Sequence, residues 1–209
     1  MLAGRHVVVT GAGRGIGRAI ARRLARDGAT LSFLARGVDD LRATAEEIGG
    51  AFTSATDIRE REAVDAGFAA AAEANGPIHA LIANSGIGGP NEAGEGDRFY
   101  DLVQTNLVGT YDCVRAAQRH LAPDGRRDVV VISSILARIP VPGYTGYSAS
   151  KAGLLGLVRS FAAELAPDDV QVNAICPGWV ATDMAREGIG LLAEALGVSY
   201  DEAFEHAMR

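Results

Sequence analysis

The sequence predicts an α/β fold in which helices cover both faces of a doubly wound parallel sheet, giving a three-layer sandwich. Short β-branched runs alternate with longer stretches whose apolar residues have helical spacing. Strand, helix and strand repeated in this way form parallel pairs with right-handed crossovers. The runs span residues 6–10, 30–34, 51–55, 79–83, 128–132 and 170–175. They suffice for the strand order 3-2-1-4-5-6, whose ligand crevice lies outside the carboxyl ends of the strands.

The stretches between the strands predict the covering helices. Ile16, Ile20 and Leu24 share one face of the first, and Val64 and Phe68 share one face of a later one. The Gly-rich segment 85–96 is predicted to be a loop bordering the crevice, segment 184–200 a lid-like region, and 201–208 a final helix. No repeat or linker marks a second domain, so residues 1–209 are predicted to form one.

The composition is that of an ordinary folded protein, 48% hydrophobic and 22% charged. The 20 Lys and Arg residues are scattered among 26 Asp and Glu, a pattern that argues against nucleic acid and anionic membranes as partners. Cys113 and Cys176 lie in apolar contexts without metal-ligand spacing and are predicted to be small core residues; no metal is expected. Without a leader or a membrane-length apolar run, the chain is expected to be cytoplasmic.

A Gly-rich loop follows the first strand and passes straight into a helix. Its glycines are Gly11, Gly15 and Gly17, spaced G-x-x-x-G-x-G. The absence of side chains lets a pyrophosphate approach the backbone, and the helix N-terminus offers free N–H groups and a partial positive charge. The spacing alone is weak evidence, because a Gly-rich turn that only joins a strand to a helix has the same composition.

The end of the second strand indicates which dinucleotide such a loop would suit. An NAD site usually places an acidic residue there for the ribose 2′-hydroxyl, but this chain has Ala35 followed by Arg36. With Arg14 in the loop, the pair favours the 2′-phosphate of NADP over NAD, because guanidinium groups bind phosphate through charge-assisted bonds. The alternative is that both arginines are solvated surface residues.

Tyr147 and Lys151 lie one turn apart on a predicted helix, and Ser134 follows the apolar fifth strand. A tyrosine acting as general acid or base near neutrality needs its pKa lowered by roughly two units from about 10, and a neighbouring ammonium has the right sign. A hydroxyl after the strand can hold a substrate oxygen beside the tyrosine. Taken singly, the Y-x-x-x-K pair is common on solvated helices, and such a serine is more often a cap.

Taken together, these motifs resemble the short-chain dehydrogenase/reductase family, most closely its 3-oxoacyl-[acyl-carrier-protein] reductases and polyketide ketoreductases. The resemblance runs to about Thr182 and implies a Rossmann fold. It rests on the 11–17 loop, Asn84-Ser85-Gly86, Asn106, Ser134, Tyr147 with Lys151, and Pro177-Gly178, in the family's order and spacing.

The resemblance implies a role for each residue of the catalytic group. Tyr147 is expected to donate and accept the proton, and Ser134 to orient and polarise the carbonyl. Lys151 is expected to bind the nicotinamide ribose and depress the pKa of the tyrosine. Asn106, in a predicted helix over 103–114, is expected to anchor a proton-relay water.

The resemblance also implies cofactor contacts, with Asp57 at the adenine, Asn84 at its ribose and Thr182 at the carboxamide. Capping of the next helix is an equally good local explanation of Asp57. The full expected set is Gly11, Arg14, Gly15, Ile16, Gly17, Arg36, Asp57, Asn84, Gly86, Tyr147, Lys151, Pro177, Gly178, Val180 and Thr182.

The chain departs from the family pattern in two places. Where the family commonly reads Asn-Asn-Ala-Gly, this chain has Ala83-Asn84-Ser85-Gly86, which is expected to alter local rigidity through a lost hydrogen bond. The chain ends at Arg209, before the family's further helix and seventh strand, and the sixth strand would then be an open edge. Either the chain is a fragment or something else covers that edge.

The expected function is therefore reduction of a ketone with NADPH, with a 3-oxoacyl thioester as the preferred small-molecule substrate. The alternatives are a general secondary-alcohol, polyol or hydroxybutyrate dehydrogenase and, from another class, a catalytically silent nucleotide-binding scaffold. A homodimer or homotetramer is expected because the helix after Tyr147 is apolar on more than one face, unless both faces pack inside one subunit. The residues of that helix in question are Leu154, Leu155, Leu157, Val158 and Phe161.

Overall fold

The computed structural model describes residues 2–207. Its strands form one parallel sheet in the order β3-β2-β1-β4-β5-β6, which confirms the predicted topology. The strands are β1 (His6–Thr10), β2 (Thr30–Ala35), β3 (Phe52–Ala55), β4 (Ala80–Ala83), β5 (Arg127–Ile132) and β6 (Val170–Ile175). Each boundary lies within one residue of its predicted position.

Helices cover the sheet on both faces. They are α1 (Gly15–Arg26), α2 (Val38–Glu47), α3 (Arg61–Asn75), α4 (Phe99–Val103), α5 (Gly109–Gln118), α6 (Thr145–Leu165), α7 (Asp183–Leu196) and α8 (Tyr200–Ala207). Helices α1 and α2 pack on one face through Ala21 and Leu41. Helices α3, α5 and α6 bury Phe68, Val114 and Leu154 against the other. The three-layer sandwich is therefore confirmed.

Three segments differ from the sequence-based expectation. The helix predicted over 103–114 is interrupted by a π-helical turn, Gln104–Val108, between α4 and α5. Most of the lid-like region 184–200 is helix α7. The final helix begins at Tyr200, one residue early, and its predicted last residue, Met208, lies outside the described residues.

The two cysteines have different surroundings. Cys113 is buried in the core, as predicted. For Cys176 the core prediction is wrong, because this residue directly follows β6 at the carboxyl edge of the sheet and is only half-buried. No helix within residues 2–207 is long and apolar enough to cross a membrane.

Candidate active site

The loop between β1 and α1 requires glycine at three positions. Gly11 and Gly15 have φ angles of +69° and +53°, in the left-handed region. A Cβ atom on Gly17 would lie 2.1 Å from the carbonyl oxygen of Gly11, so the helix can pack this closely on the loop only with glycine there. No side chain caps the start of α1, where the N-cap residue is Arg14. The first-turn N–H groups therefore fit the pyrophosphate of a dinucleotide.

The phosphate-binding loop is tied to the end of β4. The Asn84 side-chain amide donates to the carbonyl oxygens of Thr10 and Gly11, each at 3.1 Å. The Thr10 hydroxyl accepts from the backbone N–H groups of Asn84 and Ser85, each at 3.0 Å. The Asn84 side chain thus holds the fold of the loop, and the junction is well hydrogen-bonded despite its departure from the family pattern.

Asp57 follows β3 and is held by Arg59. Its carboxylate accepts the Arg59 backbone N–H at 3.0 Å and pairs with the guanidinium at 2.7 Å. It does not cap α3, whose N-cap is Glu60, so that alternative is wrong. Hydrogen bonding to Arg59 lowers the pKa of Asp57, and the charge of Arg36 adds a smaller effect of the same sign. Arg36 and Asp57 therefore lie close together where the adenosine end of a dinucleotide is expected.

The catalytic group predicted from the sequence is brought together at the start of α6. Ser134 and Lys151 are buried, with Lys151 only 5% exposed, and Tyr147 is half-buried. The Lys151 ammonium donates to the carbonyl oxygen of Ile132 at 3.0 Å and lies 5.8 Å from the centre of the Tyr147 ring. The Ser134 hydroxyl also accepts the Leu136 N–H at 3.2 Å, so this serine is a cap as well.

The pKa of Tyr147 is raised, whereas the sequence led us to expect that it would be lowered. Burial raises the pKa of Tyr147, and a side-chain hydrogen bond with Ser134 opposes this effect. The pKa of Lys151 is lowered to about 8 by burial, against a smaller opposing influence of Cys176. With its pKa raised, the Tyr147 phenol is a neutral proton donor at neutral pH.

Asn106 lies within the π-helical turn and is fully buried. Its side-chain oxygen accepts the backbone N–H of Ile87 at 2.8 Å, and its amide donates to the Ile87 carbonyl and to the Ser150 hydroxyl, each at 3.0 Å. The Ser150 hydroxyl in turn donates to the carbonyl oxygen of Tyr147 at 2.8 Å. Asn106 thus connects the 85–96 loop with the turn of α6 that carries the tyrosine.

Other predicted residues also converge here. A Cβ atom on Gly86 would lie 3.0 Å from the Asn106 side-chain oxygen and 3.4 Å from the Lys151 amine. Thr182 packs over the phosphate-binding loop, 3.3 Å from the Cβ position of Gly15, while its hydroxyl caps α7. The carbonyl oxygen of Pro177 accepts the Ile135 N–H at 2.8 Å, beside Ser134. Ile16 is half-buried in the phosphate-binding loop, Gly178 follows Pro177, and Val180 is exposed before α7.

Sequence reasoning missed several residues that shape this site. Ser150 and Tyr144 each lie three positions from Tyr147, a helical spacing that could have indicated contact. Ser133, whose hydroxyl donates to the Lys151 carbonyl oxygen at 2.8 Å, carries no comparable signal. Within the described residues, no group of three or more His, Cys, Asp or Glu side chains is arranged to hold a metal.

Comparison with known proteins identifies the family. The short chain dehydrogenase family model matches residues 5–189. Short-chain reductase protein NovJ of Streptomyces niveus is 39% identical over 208 residues, covering 97% of this chain and 78% of NovJ. The 3-oxoacyl-[acyl-carrier-protein] reductase MabA of Mycobacterium tuberculosis is 33% identical over 184 residues, covering 87% of this chain and 72% of MabA.

The solved structures agree. A crystal structure of a variant of the actinorhodin polyketide ketoreductase with NADPH superposes with a TM-score of 0.89 at 33% identity, covering 99% of this chain and 83% of that one. The resemblance inferred from the motifs is therefore confirmed, and with it the assignment as an enzyme. This chain belongs to the short-chain dehydrogenase family, whose members are oxidoreductases that act on CH–OH groups.

Proposed function

We propose that this chain reduces a ketone to a secondary alcohol, with the Tyr147 hydroxyl as the proton donor. The observation that carries the proposal is the grouping of the half-buried Tyr147 phenol with the buried Ser134 hydroxyl and the buried Lys151 amine at the start of α6. Reduction needs a protonated acid in the ground state, whereas alcohol oxidation needs a phenolate. Relatives named as reductases, NovJ and MabA, favour the reducing direction over the alternative of a secondary-alcohol dehydrogenase.

Each side chain has one step in the reaction. The Ser134 hydroxyl holds the ketone oxygen next to the phenol and polarises the carbonyl. Tyr147 gives its proton to that oxygen as the carbonyl carbon takes up hydride, so that one C–H and one O–H bond replace the C=O π bond. We assign to Lys151 the binding of the nicotinamide ribose and, together with Asn106, the return of a proton to the phenolate.

The 11–17 loop, Asn84 and Thr182 are the proposed contacts of a nicotinamide dinucleotide. When bound, this group supplies the hydride and, once oxidised, a positive charge that lowers the pKa of the phenol. We infer a preference for NADP(H) over NAD(H), because Arg14 lies in the loop, the exposed Arg36 directly follows β2 where an NAD site usually carries a carboxylate, and guanidinium groups bind phosphate well. Asp57 faces the same region, but its charge is balanced by Arg59.

The proposed substrate class is a 3-oxoacyl thioester. Support comes from MabA, which is named as a 3-oxoacyl-[acyl-carrier-protein] reductase, and from the actinorhodin enzyme, which is named as a polyketide ketoreductase. Exposed apolar side chains that follow Ser134, Pro177 and Thr182 within five residues offer the kind of surface that an acyl chain needs; they are Ile139, Trp179 and Met184.

The test is a panel of ketones, acyl thioesters and secondary alcohols, assayed with NADPH and NADH in parallel. The proposal expects the highest kcat/KM for a 3-oxoacyl thioester with NADPH. Faster oxidation of secondary alcohols at a pH well above neutrality, with weak turnover of thioesters, would favour the dehydrogenase alternative. Turnover of none of these compounds, with the dinucleotide still bound, would leave only a nucleotide-binding scaffold.

A further inference from the structure

A second tyrosine stands beside the catalytic one. Tyr144 immediately precedes α6, and its ring meets that of Tyr147 edge to face, with the centroids 6.4 Å apart and the planes at 78°. Tyr144 is half-buried. The two phenols are therefore neighbours at the start of α6.

The Tyr144 hydroxyl has no role in holding the fold. The backbone of Tyr144 begins the helix by accepting the Ser148 N–H at 2.8 Å and donating to the Val141 carbonyl at 3.3 Å, and its side chain makes no capping bond. Within residues 2–207 the Tyr144 phenol has no hydrogen-bond partner. Burial raises the pKa of Tyr144, so its hydroxyl is a neutral donor across the working pH range. A partly desolvated donor without a protein partner is suited to a ligand acceptor.

We propose that the Tyr144 hydroxyl donates a hydrogen bond to a second oxygen of the substrate, two carbons from the ketone that Ser134 and Tyr147 hold. In the 3-oxoacyl thioester of the proposed function, on which this inference rests, the acceptor is the thioester carbonyl. Two carbonyl groups joined by one methylene have oxygens roughly 3 to 5 Å apart, given bonds of about 1.5 and 1.2 Å. The two phenol rings, 6.4 Å apart between their centroids, place a second donor next to the first. Tyr144 is thus a specificity-determining residue for 1,3-dioxygenated substrates.

The test compares Tyr144→Phe with wild type on two matched substrate pairs. One pair is an acetoacetyl thioester and a simple methyl ketone of similar length, and the other is 2,4-pentanedione and 2-pentanone. Removing the hydroxyl keeps the ring contact with Tyr147 but leaves the second oxygen without its donor. We expect kcat/KM to fall about tenfold for the dicarbonyl members, mainly through KM, and less than twofold for the monoketones. Tyr100→Phe is the matched control, since Tyr100 is 83% exposed.

A second readout needs no turnover. Trp179, the only tryptophan of the chain, lies two residues after Pro177, so its fluorescence reports ligand binding at the site. We expect Tyr144→Phe to weaken binding of 2,4-pentanedione but not of 2-pentanone, with NADP⁺ affinity unchanged. An equal loss on both members of a pair, or no loss on either, would overturn the inference. A wild type that reduces the diketone but no thioester would contradict the proposed substrate class and still decide the role of Tyr144.

Discussion

The choice of cofactor rests on individual charges, above all on Arg36. This residue is exposed directly after β2, and its charge helps to lower the pKa of Asp57. Replacing Arg36 by Ala removes a charged donor to the 2′-phosphate, so kcat/KM with NADPH should fall roughly tenfold, at the low end for a charged hydrogen bond because the site is solvated. The kcat/KM with NADH should hardly change. Added salt should reduce the wild-type preference for NADPH over NADH, because it screens exposed charges.

Arg26→Ala is the matched control for this experiment. Arg26 is an exposed arginine in the last turn of α1, about 14 Å along the helix from Gly17, so its replacement should leave both cofactors unaffected. Equal use of NADPH and NADH by wild type, or a parallel loss with both in Arg36→Ala, would show that Arg36 is only a surface charge.

The sequence predicts which residues meet at the site better than it predicts their pKa values and hydrogen bonds. Ser134, Tyr147 and Lys151 are indicated by a strand end and a helical spacing, and the structure brings them together. The sign of the Tyr147 pKa shift could not be predicted, because it depends on burial by residues distant in sequence. The same holds for Asn106, whose partners come from both the 85–96 loop and α6.

At the scale of elements, the packing of α1 on the phosphate-binding loop depends on Gly17. A methyl group there would meet the Gly11 carbonyl at 2.1 Å and the Asn84 amide at 2.6 Å. We expect Gly17→Ala to lower the free energy of unfolding by about 2 kcal/mol, the usual cost of overpacking, and to weaken NADPH binding. Urea unfolding and equilibrium titration with NADPH measure the two effects.

Gly190→Ala is the control, because it should stabilise the protein where Gly17→Ala destabilises it. Gly190 lies in helix α7 with nothing within 4 Å of its Cβ position, so alanine should raise the stability by about 0.5 to 1 kcal/mol. If Gly17→Ala were as harmless as Gly190→Ala, the loop would not require close backbone contact.

At the amino ends of the strands, His6 should make stability depend on pH. Its buried ring bonds the Gly76 carbonyl oxygen and the Ser32 hydroxyl, each at 2.8 Å. Burial lowers the pKa of His6 below 6.5, so the unfolded chain takes up the proton first as the pH falls. The contribution of the neutral His6 ring to the free energy of unfolding is therefore fully present above about pH 6.5 and is lost as the pH falls below it.

Urea unfolding between about pH 7.5 and 5.5 measures this effect, since most carboxylates titrate lower. The free energy of unfolding of wild type should decrease as the pH falls, and His6→Gln should show a smaller slope. The neighbouring His79, whose Nδ1 atom accepts the His6 backbone N–H at 3.1 Å, remains in both proteins. Identical slopes would mean that His6 does not titrate on unfolding in this range.

The strands were easier to predict than the irregular turn. Alternating apolar runs and parallel crossovers leave few possible topologies, and the observed order is the predicted one. The π-helical turn over Gln104–Val108 leaves no mark on the apolar spacing. It accompanies the contacts of Asn106 with Ile87 and Ser150, which exist only in the folded chain.

For the whole molecule, we predict a homodimer or homotetramer. Leu154, Val158 and Phe161 of α6 are buried against the sheet and Leu157 packs against the same core, but Leu155 is only partly covered within the subunit. A second apolar face of this kind is typical of a helix that packs against another copy. Light scattering at roughly micromolar concentration should give twice or four times the mass of 21.7 kDa, and Leu155→Lys should lower it. A monomeric mass for wild type would contradict the prediction.

The central claim is that Tyr147 transfers the proton, and single-turnover reduction by Tyr147→Phe tests it most directly. The phenylalanine ring keeps the packing beside Tyr144 and Lys151, so NADPH affinity should stay nearly unchanged. With the transferable proton gone, the rate of ketone reduction should fall by about 10²- to 10⁴-fold, the usual contribution of a positioned acid. A variant that binds NADPH normally and reduces the ketone within a few-fold of the wild-type rate would contradict the account.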